Sequence, residues 1–153
     1  MENNLEALTQ AVQAALPSEH LHLDHIGVAV KSLQDSLAFY ELLGLKVLKR
    51  EHVPSEHVDV AFLDTGECHL ELLEPTSEDC AIAKHIAKRG PGIHHICLKV
   101  HGLAELLPKL AANGVQLLDT VPRPGANHKQ VAFIHPKSTG GVLIELSEDM
   151  SAL

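Results

Sequence analysis

No stretch of this chain approaches the ~20 consecutive apolar residues that a membrane-crossing helix requires. The first 20 residues lack both the basic start and the long apolar run of a secretory leader. Neither a membrane span nor a leader is expected. Arginine is missing from the same stretch, which argues against a transit peptide. Cysteine is scarce: Cys68, Cys80 and Cys97 are the three present, and no two of them form a C-x-x-C pair. A disulfide framework and a cysteine zinc site are therefore not expected, and a reducing cytoplasm fits. Basic charge is short too, with 12 Lys+Arg against 20 Asp+Glu and a net charge of -8. A nucleic-acid binder would normally present a basic face, so that class is set aside; a local cluster for an anionic small molecule is still compatible.

What is present suits a globular protein. With 153 residues, 45% hydrophobic and 21% charged, the chain is sized for one globular unit or two very small ones. Residues 1–20 read as an amphipathic helical extension: Asn3 with Glu6 resembles a capping pair, Leu5, Leu8, Val12 and Leu16 form a stripe, and Pro17 ends it. Twelve histidines are an excess, read mostly as surface composition.

The organising feature is an internal repeat. Shifted by 70 positions, DHIGVAVKSL (24–33) falls on HHICLKVHGL (94–103), and seven identities follow: His25/His95, Ile26/Ile96, Val30/Val100, Leu33/Leu103, Leu37/Leu107, Gly44/Gly114 and Leu48/Leu118. The register slips by one at VAFL (60–63) against VAFI (131–134), then by three more at LEL (70–72) against IEL (144–146). Both slips fall in turn-rich sequence, the second at HPKSTGG, residues 135–141, where insertions are tolerated.

Each half reads as strand, helix, strand, strand, strand, giving two βαβββ modules at about 22–76 and 92–148 within a single domain over 21–150. A linker helix over about 78–90 joins them, with an acidic first turn, a basic last turn and Gly90 as its stop. In the first half a helix from about Ser32 to Leu43 is predicted from the Ser32/Asp35 capping box, the Leu33, Leu37, Tyr40 stripe and the closing Gly44. In the second half Leu103, Leu107 and Leu110 repeat that stripe, and Pro108 predicts a late start or a kink.

Strand alternation separates the two faces. His25, Gly27 and Ala29 share one face of their strand, and His95 and Cys97 share the equivalent face of theirs. His94, the neighbour of His95, corresponds to Asp24, should point away, and receives no role. Glu71 lies between Leu70 and Leu72 as Glu145 lies between Ile144 and Leu146. Each half thus contributes one imidazole and one carboxylate opposite its bulky aliphatics. If the sheets curve toward each other the four converge, and such a set suits a borderline divalent cation, Co2+, Mn2+, Ni2+ or Zn2+.

The paired modules with these residues on their first and last strands resemble the vicinal oxygen chelate, or glyoxalase-like, superfamily. LDHIGVAV, ELLEP, IAKHIAKRGPGIHHI and PRPGANHKQVAFIHPKSTGGVLIEL, in that order, are similar to its methylmalonyl-CoA epimerase family over about residues 22–148. The resemblance implies an α+β fold in which two tandem βαβββ modules form a curved mixed sheet around a metal-binding cleft. It implies metal ligands at His25, Glu71, His95 and Glu145, with Co2+ the first choice of cation, and an acyl-CoA thioester epimerised through an enolate. Glu145 is the implied base. Some members carry the second base on the strand equivalent to VDVAF, where this chain has Val60; Glu71 is therefore read as the second base, with Asp59 as the fallback. Arg123, Lys129, Lys137 and Ser138 are candidates for coenzyme A or the substrate carboxylate, read as loop residues near the last strands. A homodimer in the cytoplasm, binding neither nucleic acid nor membrane, completes the expectation. A glyoxalase-type lactoylglutathione lyase and a metal-independent binding protein of the same fold are the alternatives.

Overall fold

The run HLDHIGVA alternates small or polar residues with aliphatics, and it forms strand β1, His22–Ala29. It does so in a computed structural model that describes residues 6–10, 13 and 22–150. Helix α1, Leu33–Leu42, follows; the Ser32 hydroxyl accepts from the Asp35 N–H at 3.2 Å, as the capping box requires. Gly44 ends it at φ +86°, a conformation that costs other residues a Cβ clash. Strands β2 (Val47–Val53), β3 (Val58–Asp64) and β4 (His69–Pro75) complete the first module. Helix α2 spans Ala81–Arg89. The second module comprises β5 (Gly92–Lys99), α3 (Leu103–Ala112), β6 (Arg123–Pro124), β7 (Lys129–Ile134), a 3-10 turn (Pro136–Ser138) and β8 (Ile144–Asp149). The fold class is α+β, two βαβββ modules with mixed strand pairing.

Two compact units are distinguished. One is His25–His95; the other holds the described residues up to Asp24 and from Ile96 onward. In the first the strands run in the order β2-β3-β4-β1, with β1 and β4 parallel and the rest antiparallel. In the second they run β5-β8-β7-β6, with β5 and β8 parallel.

The repeat is written into both cores. In the first unit Val30, Leu33, Leu37, Ala61, Leu63 and Leu72 form the buried cluster beneath α1. The counterparts of all six, Val100, Leu103, Leu107, Ala132, Ile134 and Leu146, are buried together in the second unit beneath α3, where Leu106 and Leu110 add to them. A fully buried aliphatic side chain contributes about 1.5–3 kcal/mol, so these clusters dominate the packing of each unit. A second repeated device ties helix to sheet. The Leu33 N–H donates to Glu74 at 3.0 Å, and the Gly102 and Leu103 N–H groups donate to Glu148 at 2.9 and 2.8 Å. Each carboxylate satisfies donors that the first turn of a helix leaves open, and its charge suits that helix end.

Three expectations meet a different outcome. Helix α3 does not start late: it begins at Leu103, where the Glu148 carboxylate holds its first turn, and Pro108 lies inside it. The second-module counterpart of β2 shrinks to the two residues of β6 and a bridge from Leu117 to Ile134, since Pro122 and Pro124 bring no N–H to a ladder. The linker helix begins at Ala81, after Glu78 and Asp79, so its acidic first turn is replaced by the Cys80 thiol accepting from Ala83 at 3.4 Å. Of the amphipathic extension, Glu6–Gln10 and Gln13 are helical, and Leu8 packs on the core of its own unit. Asn3, Leu5, Val12, Leu16 and Pro17 lie outside the described residues. Among the described residues no helix is long and apolar enough to cross a membrane.

Candidate metal centre

The face of the first unit opposite α1 carries the polar groups of the candidate site. β1 places His25 and Gly27 there, and the parallel register sets Gly27 beside Glu71, with Phe62 of β3 on the other flank. His95 arrives from β5. All three polar groups are buried, with exposures of 3% for His25, 7% for Glu71 and 5% for His95. His25 Nε2 lies 2.9 Å from Glu71 Oε2 and 3.1 Å from His95 Nε2. One ligand atom from each falls within 4.8 Å of the others. Burying two imidazoles and a carboxylate together is costly unless something binds them. The donor set fits a borderline divalent cation, and the closeness of the ligand atoms is what such an ion requires.

Gly27 is what admits the His95 ring. A Cβ at this position would lie 2.2 Å from His95 Cε1, so no side chain fits. His94, given no role by alternation, is half-buried, and its Nδ1 stands 2.9 Å from His95 Nδ1. Alternation fixes where Cβ atoms point, not how a ring folds back along its strand. Behind His94 the ring of His85 from α2 packs edge-on at 4.8 Å. Burial, then the nearby Arg89 charge, lowers the His85 pKa and favours its neutral form.

Glu145 belongs to the second unit, buried at 7% exposure. Its register repeats that of Glu71: Cys97 lies on one side where Gly27 flanks Glu71, and Phe133 on the other where Phe62 does. Arg123 is nearby. Burial lowers its pKa, against which the Glu145 charge acts. The Arg123 Nε donates to Asp119 at 3.0 Å, and its guanidinium lies 5.4 Å from the Phe133 ring centroid, within cation–π range.

The remaining candidates are spread out. Lys129 is not loop charge: it opens β7 at 8% exposure, and its ammonium is paired with Asp24. Arg123 likewise sits in β6 rather than a loop. Lys137 and Ser138 are exposed on the 3-10 turn, where the Ser138 hydroxyl accepts from the Gln116 N–H at 2.8 Å. Asp59 bonds His52 at 2.7 Å and alternates with Ala61 on the α1 side of the sheet, the face away from Glu71.

The Lys129–Asp24 pair yields a stability prediction. Burial lowers the lysine pKa, but the hydrogen bond and charge of Asp24 outweigh it and raise the value above normal. The pair is therefore intact at neutral pH, and the lysine's contribution is lost as pH climbs through that raised value. Lys129→Met strands a buried carboxylate and should cost about 3 kcal/mol in urea unfolding, whereas Asp24→Asn/Lys129→Met should recover much of the loss. Equal stability of the single variant and the parent would show that the pair contributes nothing.

The chain is similar to known proteins over most of its length. The family model described as glyoxalase/bleomycin resistance protein/dioxygenase superfamily matches residues 24–133. A Bacillus subtilis protein, YqjC, described as uncharacterized, is 47% identical over 127 residues, 82% of this chain and 91% of its own. The human mitochondrial methylmalonyl-CoA epimerase is 36% identical over 128 residues, 82% of this chain and 73% of its own. A methylmalonyl-CoA epimerase solved in complex with methylmalonyl-CoA and ammonium is 35% identical, superposes with a TM-score of 0.79, and covers 85% of this chain and 95% of its own.

Proposed function

The chain belongs to the glyoxalase/bleomycin resistance protein/dioxygenase superfamily, and from that premise we propose that it is a methylmalonyl-CoA epimerase, an isomerase acting on an acyl-CoA thioester. The observation that carries this is the buried cluster of His25, Glu71 and His95 in a chain similar to epimerases over most of its length. These three residues, with Glu145 as the fourth, would hold a divalent cation, Co2+ in the first instance, with Mn2+, Ni2+ or Zn2+ as substitutes. Bound there, the cation supplies positive charge that favours an enolate over its parent thioester by several kcal/mol.

The protein's own groups move the proton. A carboxylate oxygen of Glu145 takes the α-proton from one face of the substrate carbon, and Glu71 returns one to the other face. Each well-placed base contributes on the order of 10² to 10⁴ in rate. Asp59 is the weaker candidate for the second base, since it faces the α1 side and is engaged by His52. Arg123, Lys129, Lys137 and Ser138 are the proposed contacts for the substrate carboxylate and coenzyme A. Of these, Arg123 carries charge beside the proposed base. A homodimer in the cytoplasm completes the proposal.

The test is α-proton exchange. Purified protein incubated with methylmalonyl-CoA in D2O should incorporate deuterium at the α-carbon. It should lose that activity to a chelator, recover it with Co2+, and leave a methylglyoxal and glutathione mixture unchanged. Turnover of the hemithioacetal without exchange of methylmalonyl-CoA would overturn the assignment.

A further inference from the structure

We propose that His94 is a positioning residue for the metal centre: it holds the tautomer and rotation of His95 through a hydrogen bond between the two Nδ1 atoms. This rests on the reading of His25, Glu71 and His95 as cation ligands.

The tautomers follow from geometry. A 2.9 Å contact between two Nδ1 atoms is a hydrogen bond when one nitrogen carries the proton and the other is bare. His95 Nε2 is the atom that faces the cluster, 3.1 Å from His25 Nε2. A nitrogen that ligates a cation must be unprotonated, so neutral His95 keeps its proton on Nδ1. His95 Nδ1–H therefore donates, His94 Nδ1 accepts, and the His94 proton resides on Nε2.

His94 is itself braced. Its ring stands edge-on to His85 at 4.8 Å and to His95 at 5.2 Å, with interplanar angles of 85° and 89°. The His95 ring is thereby constrained twice, by the space left at Gly27 and by the acceptor at its Nδ1. An imidazole acceptor also differs in charge from the carboxylate that often backs a ligating histidine. With two carboxylates already proposed as ligands, a neutral partner orients His95 without adding negative charge.

The test uses apo protein titrated with Co2+ against a competing chelator, with the visible spectrum of the bound ion as a second readout. His94→Phe keeps a ring but removes the acceptor, and should weaken Co2+ binding about 10–100-fold and shift the spectrum. His94→Asn can place an amide oxygen near the lost nitrogen, and should stay within about threefold of the parent because the acceptor is restored. Parent affinity and spectrum in His94→Phe would overturn the proposal, as would an equal loss in both variants. A measurement on the unaltered protein avoids any folding defect: in Zn2+-loaded, 15N-labelled protein, His95 Nδ1 should be protonated and coupled across the hydrogen bond to a bare His94 Nδ1. A protonated His94 Nδ1 would overturn it. Failure of the unaltered protein to bind either ion would instead remove the metal reading itself.

Discussion

Glu145→Gln should lower kcat for epimerisation by about 10³-fold, the middle of the range for loss of a well-placed base. The amide oxygen can still ligate a cation while the group can no longer take a proton, so metal content is expected to stay near that of the parent. The two substrate epimers should then separate. The one whose α-proton faces Glu145 should lose both exchange and inversion. The other can still give its proton to Glu71 and receive one back on the same face, exchanging in D2O without inverting. Inversion within tenfold of the parent rate, with metal retained, would remove Glu145 as a base. Equal residual exchange from both epimers would remove the two-face arrangement.

Gly27→Ala is the second large effect, and it reaches the site through space alone. The added methyl would sit 2.2 Å from His95 Cε1 and under 3 Å from both ring nitrogens. The ring belongs to an interior cluster, so it cannot simply swing into solvent. Strand or ring must shift, at about 1–3 kcal/mol of stability, and a ligand displaced by an ångström no longer meets its cation. Co2+ affinity should fall by at least about 100-fold, comparable to or beyond the loss of an outer partner. Gly44→Ala is the control: it carries backbone strain at φ +86° but meets no atom within 4 Å, so it should lower stability and leave Co2+ binding unchanged. A Gly27→Ala protein that binds Co2+ like the parent would show that the ring is not confined as the structure places it.

Much of this is legible in the chain because a duplicated half is read twice. His25 with His95, Leu33 with Leu103 and Leu37 with Leu107 align on residue identity alone, and their periodicity assigns strand, helix and face. All six buried residues of one core then reappear in the other. Where the halves diverge, the pattern fails for physical reasons. Pro122 and Pro124 interrupt what a homologous β2 would be, yet the stretch still reads as aliphatic. Lys129 reads as loop charge because Asp24, its ion-pair partner, lies 105 residues away. Gly27 reads as one small residue on a face, and only the position of a ring 68 residues downstream explains it. His94 escapes the pattern because alternation describes backbone direction and not the reach of an imidazole.

Glu74 and Glu148 each stand three residues beyond a site glutamate and grip the opening turn of the helix in their own half. Every half is in this respect a cassette with its own jig: the strand that aims the acid is clamped to a helix encoded within the same forty to fifty residues. Copying such a segment copies its alignment as well, so tandem duplication could deliver a second aimed carboxylate without inventing a second scaffold.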